Sequence, residues 1–306
     1  MTTTLADWRH AGAYFEHRGH RIFWREGGAV DVPALLLIHG FPTASWDWEA
    51  VWPELAARYR VLTLDLIGFG FSDKPRDYDY SILDQADLCE ALLRERGIAS
   101  YHILAHDYGD SVAQELIARD LEPGRRPKLA SVCFLNGGLF PETHRPVLIQ
   151  KLLLSPFGPL VARLTNRNAV ARNMRRIFGP QTQPDAQLID ALWELMTMHD
   201  GLKVFPKLIG YMPERHLRRE RWVGALQKTA LPLKLIDGMA DPVSGAHMVQ
   251  RYRELIACAD VTELADIGHY PQIEAPRDVL SAYMDFRSHM RDAHDRRVQP
   301  SILKNP

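Results

Sequence analysis

The sequence has few cysteines, no long apolar segment and almost no net charge. Its 3 cysteines are widely spaced and form no CxxC pair, which excludes a disulfide framework and suits a reducing compartment. No run of apolar residues is long enough to cross a bilayer, and the first ten residues lack a signal-peptide pattern. A net charge of -1 gives no overall attraction to nucleic acid. We therefore expect a cytoplasmic protein without a transmembrane segment and without a nucleic-acid partner.

Cofactor motifs are also missing. The loop DLIGFGFSDKP at residues 65–75 contains two glycines, but they do not have the GxGxxG spacing of a dinucleotide site. We accordingly predict no cofactor and no metal ion. A basic run, RHLRRER at residues 215–221, is interpreted as a solvated helix face, and Gly27-Gly28 as a hairpin turn between early strands.

Short apolar runs alternate with helical patterns along much of the chain. The runs are continuous rather than alternating, which is typical of parallel strands covered on both faces. Helical patterns at residues 81–96 and 112–120 fit the crossovers between such strands. The predicted strands are residues 34–38, 61–65, 101–105, 131–135, 233–237 and 261–264.

The strand pattern is interrupted between residues 140 and 226, where only helical patterns and prolines occur. We predict an α/β core at residues 1–139 and 227–292, an inserted helical cap at 140–226 and a flexible tail at 293–306. The cap is expected to cover the carboxyl edge of a mostly parallel central sheet flanked by helices. Ligands bind at that edge in open α/β sheets.

The segment around Asp107 has the context of a nucleophile elbow, which is a strand, a sharp turn and a helix. Ala105 and Gly109 are small residues two positions before and two after Asp107, as the strained turn requires. The alternative role for an aspartate at this place is the N-cap of the following helix. The complete elbow pattern favours a catalytic carboxylate.

The elbow HDYG resembles that of the epoxide hydrolase and haloalkane dehalogenase branch of the α/β-hydrolase superfamily. Four segments are also similar to mesoderm-specific transcript-like proteins, and the similarity extends from about His39 to Arg287. The resemblance implies the α/β-hydrolase fold but does not specify a substrate. The four segments are HDYGDSVAQEL, LNGGLFPETHRPVLIQKLL, RRERWVGAL and GHYPQIEAP.

The resemblance also implies partners for Asp107. Asp241 stands where this family has its orienting acid, on the loop after a strand, whereas its rival Asp237 falls at the strand end. His269, one of 13 histidines, stands where the family has its base, after the last strand. The HGFP loop matches the oxyanion loop, so the backbone N–H groups of Phe41 and Tyr108 are the expected donors.

An aspartate nucleophile restricts the reaction. Attack by a carboxylate on an ester would give a reactive anhydride, so displacement at saturated carbon is the better route. The substrate then carries an epoxide oxygen or a halide, and His269-activated water hydrolyses the alkyl ester of Asp107. We predict an epoxide hydrolase-like enzyme with Tyr211, the single tyrosine at residues 140–226, as the acid that opens the ring. The expected ligands are a small lipophilic substrate and water.

Two alternatives stay open. A haloalkane dehalogenase needs halide donors, but Tyr108 and Phe41 occupy the positions where relatives have Trp and Asn. A non-catalytic binding protein is the other possibility, since the mesoderm-specific transcript group has no firmly assigned substrate. Further residues predicted to contact substrate are His39, which could instead form a structural hydrogen bond, and Trp193 and Trp222, for which packing in the cap is the alternative. A monomer or a homodimer fits equally.

Overall fold

The computed structural model describes residues 3–298, with side chains described up to residue 290, and its centre is one eight-stranded sheet. The strand order is β1-β2-β4-β3-β5-β6-β7-β8. The pairs β1–β2 and β2–β4 are antiparallel, and every other pair is parallel. The strands are β1 Ala13–His17, β2 His20–Gly27, β3 Ala34–Ile38, β4 Arg60–Leu64, β5 Ser100–His106, β6 Lys128–Leu135, β7 Leu233–Gly238 and β8 Asp260–Leu264.

The parallel strands have apolar side chains on both faces because helices cover both sides of the sheet. All five residues of β3 are buried, and β3 lies between β4 and β5. Each predicted strand is present, with ends that differ by at most three residues; β6 begins at Lys128 rather than at residue 131. The predicted α/β-hydrolase fold is confirmed.

Helices before β6 and after β7 pack on the sheet. The predicted helix at residues 81–96 begins at Ile82. Ser81 is its N-cap, and the Ser81 side chain accepts a hydrogen bond from the backbone N–H of Asp84. These helices are α1 Leu5–His10, α2 Trp52–Ala56, α3 Ile82–Glu95, α4 Tyr108–Asp120, α12 Ala246–Leu255, α13 Pro271–Glu274 and α14 Pro276–Val298.

Between β6 and β7 the described chain contains helices and no strand. Two of these helices lie close to the carboxyl end of β3, because the ring of Phe41, just after β3, packs 5.2 Å from Phe205 and 6.2 Å from Tyr211. The segment comprises α5 Leu148–Leu154, α6 Gly158–Leu164, α7 Arg167–Ile177, α8 Ala186–Thr197, α9 Phe205–Leu208, α10 Tyr211–Leu217 and α11 Arg219–Lys228, with a 3-10 segment Met198–Val204.

Two expectations from the sequence differ from the structure. The hairpin between β1 and β2 turns at Arg18-Gly19, where both residues have positive φ, and not at Gly27-Gly28. Gly27 instead ends β2 opposite Val61 of β4. Helix α14 continues to Val298, and the rest of the predicted tail, residues 299–306, lies outside the described residues. None of the helices in the described part of the chain is both long and apolar enough to span a membrane.

Candidate active site

Asp107 occupies a sharp turn between β5 and α4. Its φ of 48° and ψ of -103° are unusual for a non-glycine residue and are typical of strained functional positions. A Cβ atom on Gly109 would lie 2.3 Å from the carbonyl oxygen of Ile38, so a larger residue cannot occupy that position. The Asp107 side chain accepts no hydrogen bond as an N-cap of α4. Its carboxylate is therefore directed elsewhere than toward the first turn of the helix.

One oxygen of Asp107 is held by the loop after β3. The backbone N–H of Phe41 donates to Asp107 Oδ2 at 3.1 Å, and the Phe41–Pro42 peptide bond is cis. Among the described residues, the backbone N–H of Tyr108 makes no hydrogen bond with this carboxylate. Of the two expected oxyanion donors, only Phe41 is thus engaged with Asp107.

Asp241 and His269 meet Asp107 at the carboxyl edge of the sheet. Asp241 lies on the loop after β7, and His269 lies on the loop after β8. Asp241 Oδ2 and His269 Nδ1 are 2.7 Å apart, while His269 Nε2 lies 4.0 Å from Asp107 Oδ1. All three side chains are buried. The structure thus brings together the three residues that the sequence suggested as nucleophile, acid and base.

Asp241 is oriented by a set of short hydrogen bonds. Its carboxylate accepts from the backbone N–H groups of Val243 at 2.8 Å and Ser244 at 3.1 Å, and from the Ser244 hydroxyl at 2.9 Å. The amide of Asn136 donates to Asp241 Oδ2 at 3.1 Å. Burial alone would raise the pKa of Asp241, but His269 lowers it, as do the Val243 amide and the Ser244 hydroxyl. Asp241 therefore remains an anion beside His269. Its rival Asp237 accepts a hydrogen bond from Asn136 and, among the described residues, has no hydrogen bond with His269.

The electrostatics favour a protonated His269 in the resting site. Burial works to lower the pKa of His269, but the ion pair with Asp241, with a smaller contribution from Asp107, raises that pKa to about 9. Because part of the rise comes from the charge of Asp107, loss of that charge would make His269 more acidic.

Tyr211, on α10, is fully buried in an aromatic cluster. Its ring lies 4.8 Å from the ring of Tyr108 and 6.2 Å from that of Phe41. Within the described range its hydroxyl has no hydrogen-bond partner of good geometry, and the guanidinium that it interacts with is that of Arg215. Burial raises the pKa of Tyr211, and the negative charge of Asp107 raises it further. The hydroxyl therefore keeps its proton at neutral pH.

Arg215 is the residue of this site that the sequence analysis missed. The basic run predicts a solvated helix face, but the Arg215 side chain is only 2% exposed. Its Nη2 lies 3.8 Å from Asp107 Oδ1, and its Nε donates to the Ser111 hydroxyl at 2.7 Å. The guanidinium also stacks over Tyr211 at 4.4 Å, and within the described chain Nη1 has no hydrogen-bond partner. The solvated-face interpretation is wrong for Arg215.

The other predicted contact residues lie beside the site or away from it. His39 accepts from the backbone N–H of Leu66 at 3.0 Å through Nε2, which is a structural role. The Trp222 indole donates to Glu115 at 2.8 Å on α4. Trp193 is half-buried on α8, and neither tryptophan lines the cavity described next.

A small cavity of about 80 Å³ opens beside His269 and Phe41. Helices α5 and α7 supply nearly half of its lining residues, and most of the side chains are apolar. Such a lining suits a lipophilic ligand with few polar groups. The lining residues are Phe41, Pro42, Val147, Ile149, Gln150, Leu153, Thr165, Val170, Asn173, Met174, Ile177, Met196, Phe205, Val243 and His269.

Known proteins share the fold described above. Residues 35–282 match the model of the alpha/beta hydrolase family. The chain belongs to the alpha/beta hydrolase family. The mesoderm-specific transcript protein of Mus musculus is 42% identical to this hydrolase over 296 residues, which is 94% of this chain and 88% of that protein. The resemblance inferred from the four segments is confirmed.

Two further proteins are similar to this alpha/beta hydrolase. The putative hydrolase LipZ of Mycobacterium tuberculosis is 41% identical over 280 residues, which cover 91% of this chain and 96% of LipZ. The crystal structure of haloalkane dehalogenase DbeA from Bradyrhizobium elkani superposes with a TM-score of 0.76 over 92% of this chain and 99% of that chain. At 22% identity, that likeness concerns the fold alone.

Proposed function

We propose that this alpha/beta hydrolase opens epoxides by forming an alkyl ester on Asp107 and then hydrolysing that ester. The observation that carries the proposal is the unequal environment of the two carboxylate oxygens. Oδ2 accepts a hydrogen bond from the Phe41 amide, whereas Oδ1 faces His269 and Arg215 at 4.0 Å and 3.8 Å. One oxygen is thus held still and the other is left to attack.

In the first half-reaction, Asp107 Oδ1 attacks an epoxide carbon and the carbon–oxygen bond of the ring breaks. The departing oxygen takes the proton of the Tyr211 hydroxyl, which burial keeps protonated. The products are an alkyl ester of Asp107 and a hydroxyl group on the adjacent carbon. Arg215, which stacks on Tyr211, stabilises the tyrosinate left behind.

In the second half-reaction, His269 Nε2 removes a proton from water and the hydroxide attacks Cγ of Asp107. The separation of 4.0 Å between Nε2 and Oδ1 supports this role, because the imidazole is close to the ester oxygen. Negative charge develops on Oδ2, where the Phe41 amide stabilises it. Collapse of this intermediate releases a 1,2-diol and restores the carboxylate, and His269 keeps the proton taken from water, which returns it to its resting state.

The change of charge on Asp107 fits the role of His269 as a base. In the resting site the pKa of His269 is raised to about 9, partly by the carboxylate of Asp107. Formation of the ester removes that negative charge, so the pKa of His269 falls and its proton passes through solvent to the tyrosinate of Tyr211. His269 is then neutral when it is needed as the base. Asp241 keeps the imidazole oriented in both states.

A dehalogenase is the second candidate, and Arg215 is the observation in its favour. A leaving halide needs N–H donors close to the attacking oxygen, and Arg215 Nη1 is a buried donor without a hydrogen-bond partner among the described residues. The chemistry at Asp107 and His269 would be the same, but halide would leave without a proton from Tyr211. A binding protein without catalysis would need none of these groups.

The deciding experiment uses the variant His269→Gln, which should stop the second half-reaction. Incubation with styrene oxide is expected to give a covalent adduct whose mass equals that of the epoxide, located by peptide mapping at Asp107. The double variant Asp107→Asn/His269→Gln is the matched control and should give no adduct. An adduct from a bromoalkane with bromide release would favour the dehalogenase. Absence of any adduct across terminal, aryl and alkyl epoxides would refute the epoxide proposal.

A further inference from the structure

The exposed large apolar side chains are concentrated in one short stretch. Within the described residues nine such side chains are exposed, and six of them fall in α5, α6 and the turn that joins these helices. Their exposures range from 40% to 69%. Proteins rarely expose such a patch without a partner for it. These six residues, called here the leucine face, are Leu148, Leu152, Leu154, Phe157, Leu160 and Leu164.

The spacing of these residues gives both helices an apolar outer side. Phe157, Leu160 and Leu164 follow each other at intervals of three and four, which places them on one side of α6. The buried residues of the same helix are the small Gly158 and Ala162. The large side chains of α6 therefore point outward, which is the reverse of the pattern expected for a helix that packs on a core.

The same region has a charge of one sign. Residues 143–184 contain no aspartate or glutamate, although acidic residues are common elsewhere in a chain with 38 of them. The Lys and Arg side chains of this region, apart from Arg167, form no ion pair with any residue in the described range. The chain's net charge of -1 conceals this local excess. The basic residues are Arg145, Lys151, Arg163, Arg167, Arg172, Arg175 and Arg176.

The α5 part of the leucine face lies on the outside of the wall of the cavity beside His269. Ile149 and Leu153 of α5 line the cavity, while Leu148 and Leu152 of the same helix are exposed. Helix α7 likewise lines the cavity with Met174. Whatever covers the α5 part of the leucine face is therefore separated from the cavity by the thickness of one helix.

We propose that the leucine face docks on an anionic lipid bilayer. The apolar side chains would enter the boundary between headgroups and acyl chains, while the unpaired lysine and arginines contact lipid phosphates. The segment combines apolar surface with unpaired positive charge. An anionic bilayer offers a complement to both features, because it has an apolar interior and negative headgroups. Docking brings the cavity to the membrane surface, where lipophilic substrates are concentrated. The proposal concerns binding and does not depend on the reaction at Asp107.

Vesicle co-sedimentation of the full chain tests the docking. The protein is expected to bind vesicles of phosphatidylcholine and phosphatidylglycerol, and to bind pure phosphatidylcholine vesicles less well. Leu148→Glu and Phe157→Glu should each weaken binding at least about tenfold. The matched control is Val30→Glu, because Val30 is 74% exposed but precedes the amino end of β3, at the opposite edge of the sheet. This control should bind like the wild type.

A second set of variants tests the charge. Arg163→Gln and Arg172→Gln should each lower the partition coefficient on anionic vesicles about fivefold, and added salt should lower it for the wild type. Failure to bind anionic vesicles, or equal weakening by Val30→Glu, would overturn the proposal. Sedimentation velocity gives the competing outcome: a wild-type dimer that Phe157→Glu converts to a monomer, without vesicle binding, would assign this face to a second copy of the chain.

Discussion

The Nη2 atom of Arg215 lies 3.8 Å from Oδ1 of Asp107, and both side chains are almost completely buried. This contact joins helix α10 to the turn between β5 and α4, so a cation from the inserted helices faces the carboxylate at the centre of the site. Removal of one member of such a pair leaves the other buried without compensation.

We expect Arg215→Met to lower the free energy of unfolding by about 3 kcal/mol, and to do so less in an Asp107→Asn background. A double-mutant cycle measured by urea unfolding should give a coupling of about 2 kcal/mol. Arg218→Met is the control, since the ion pair of Arg218 with Glu214 is partly exposed and should contribute less than about 1 kcal/mol. Additive effects of the two substitutions would contradict an energetic role for the contact.

Tyr211→Phe should slow ester formation and spare ester hydrolysis. Loss of the proton donor is expected to reduce the rate of alkylation by an epoxide about 100-fold or more. Hydrolysis of the alkyl-enzyme should be unchanged, because its base is His269. Rapid-quench kinetics separate the two steps. Tyr108→Phe provides the comparison, because its ring lies only 4.8 Å from that of Tyr211. Equal slowing by both variants would contradict a single acid.

The stability of the protein should decrease with rising pH because of His269. Its pKa is about 9 in the folded protein and 6.5 in the unfolded chain. The stabilisation from protonated His269 is therefore complete below pH 6.5 and is lost as the pH rises through 9. The wild type should therefore lose about 3 kcal/mol more unfolding free energy than His269→Gln across this interval. If the unfolding free energies of the two proteins, measured with urea at each pH, changed equally with pH, the raised pKa would be absent.

Asn136 should prove to be a positioning residue for Asp241. It has a φ of 38°, and its side-chain amide donates to Asp241 and accepts from the backbone N–H of Gly238. Asn136→Gly keeps the backbone conformation accessible. It should lower the free energy of unfolding by about 2 kcal/mol, and this loss measures the contribution of the hydrogen bonds. Asn136→Ala should cost about 1 kcal/mol more because alanine resists positive φ.

Activity separates positioning from stability in these two variants. Both should slow hydrolysis of the alkyl-enzyme to a similar extent, since both remove the donor to Asp241. A slower rate in the alanine variant alone would assign the effect to the backbone.

Much of the fold could be predicted because parallel strands are buried on both faces and carry continuous apolar runs. The carboxyl ends of such strands meet at one edge, so residues after β5, β7 and β8 could be expected to lie together. Asp107, Asp241 and His269 were found by this argument together with the resemblance. Strand ends were less accurate, because polar residues such as Lys128 also pair at the start of β6.

Arg215 could not be found in this way because no sequence pattern states which face of an inserted helix turns inward. Its neighbours Arg218, Arg219 and Arg221 are partly exposed, as the basic run suggested. A single buried arginine among them is determined by the packing of α10 against α4, which depends on contacts distant in the chain. The sequence offered packing as an alternative for Trp222, but it could not identify Glu115 as its hydrogen-bond partner.

The two Asp107 oxygens have different hydrogen-bond partners, and this difference determines which oxygen atom enters the product. Under the proposed reaction, Oδ2 stays with the Phe41 amide while Oδ1 leaves inside the diol, and water refills its place. A single turnover in water enriched in oxygen-18 should therefore yield unlabelled diol and a labelled protein. The heavy isotope should reach the diol only from the second turnover onward, so the enzyme itself is the immediate oxygen source.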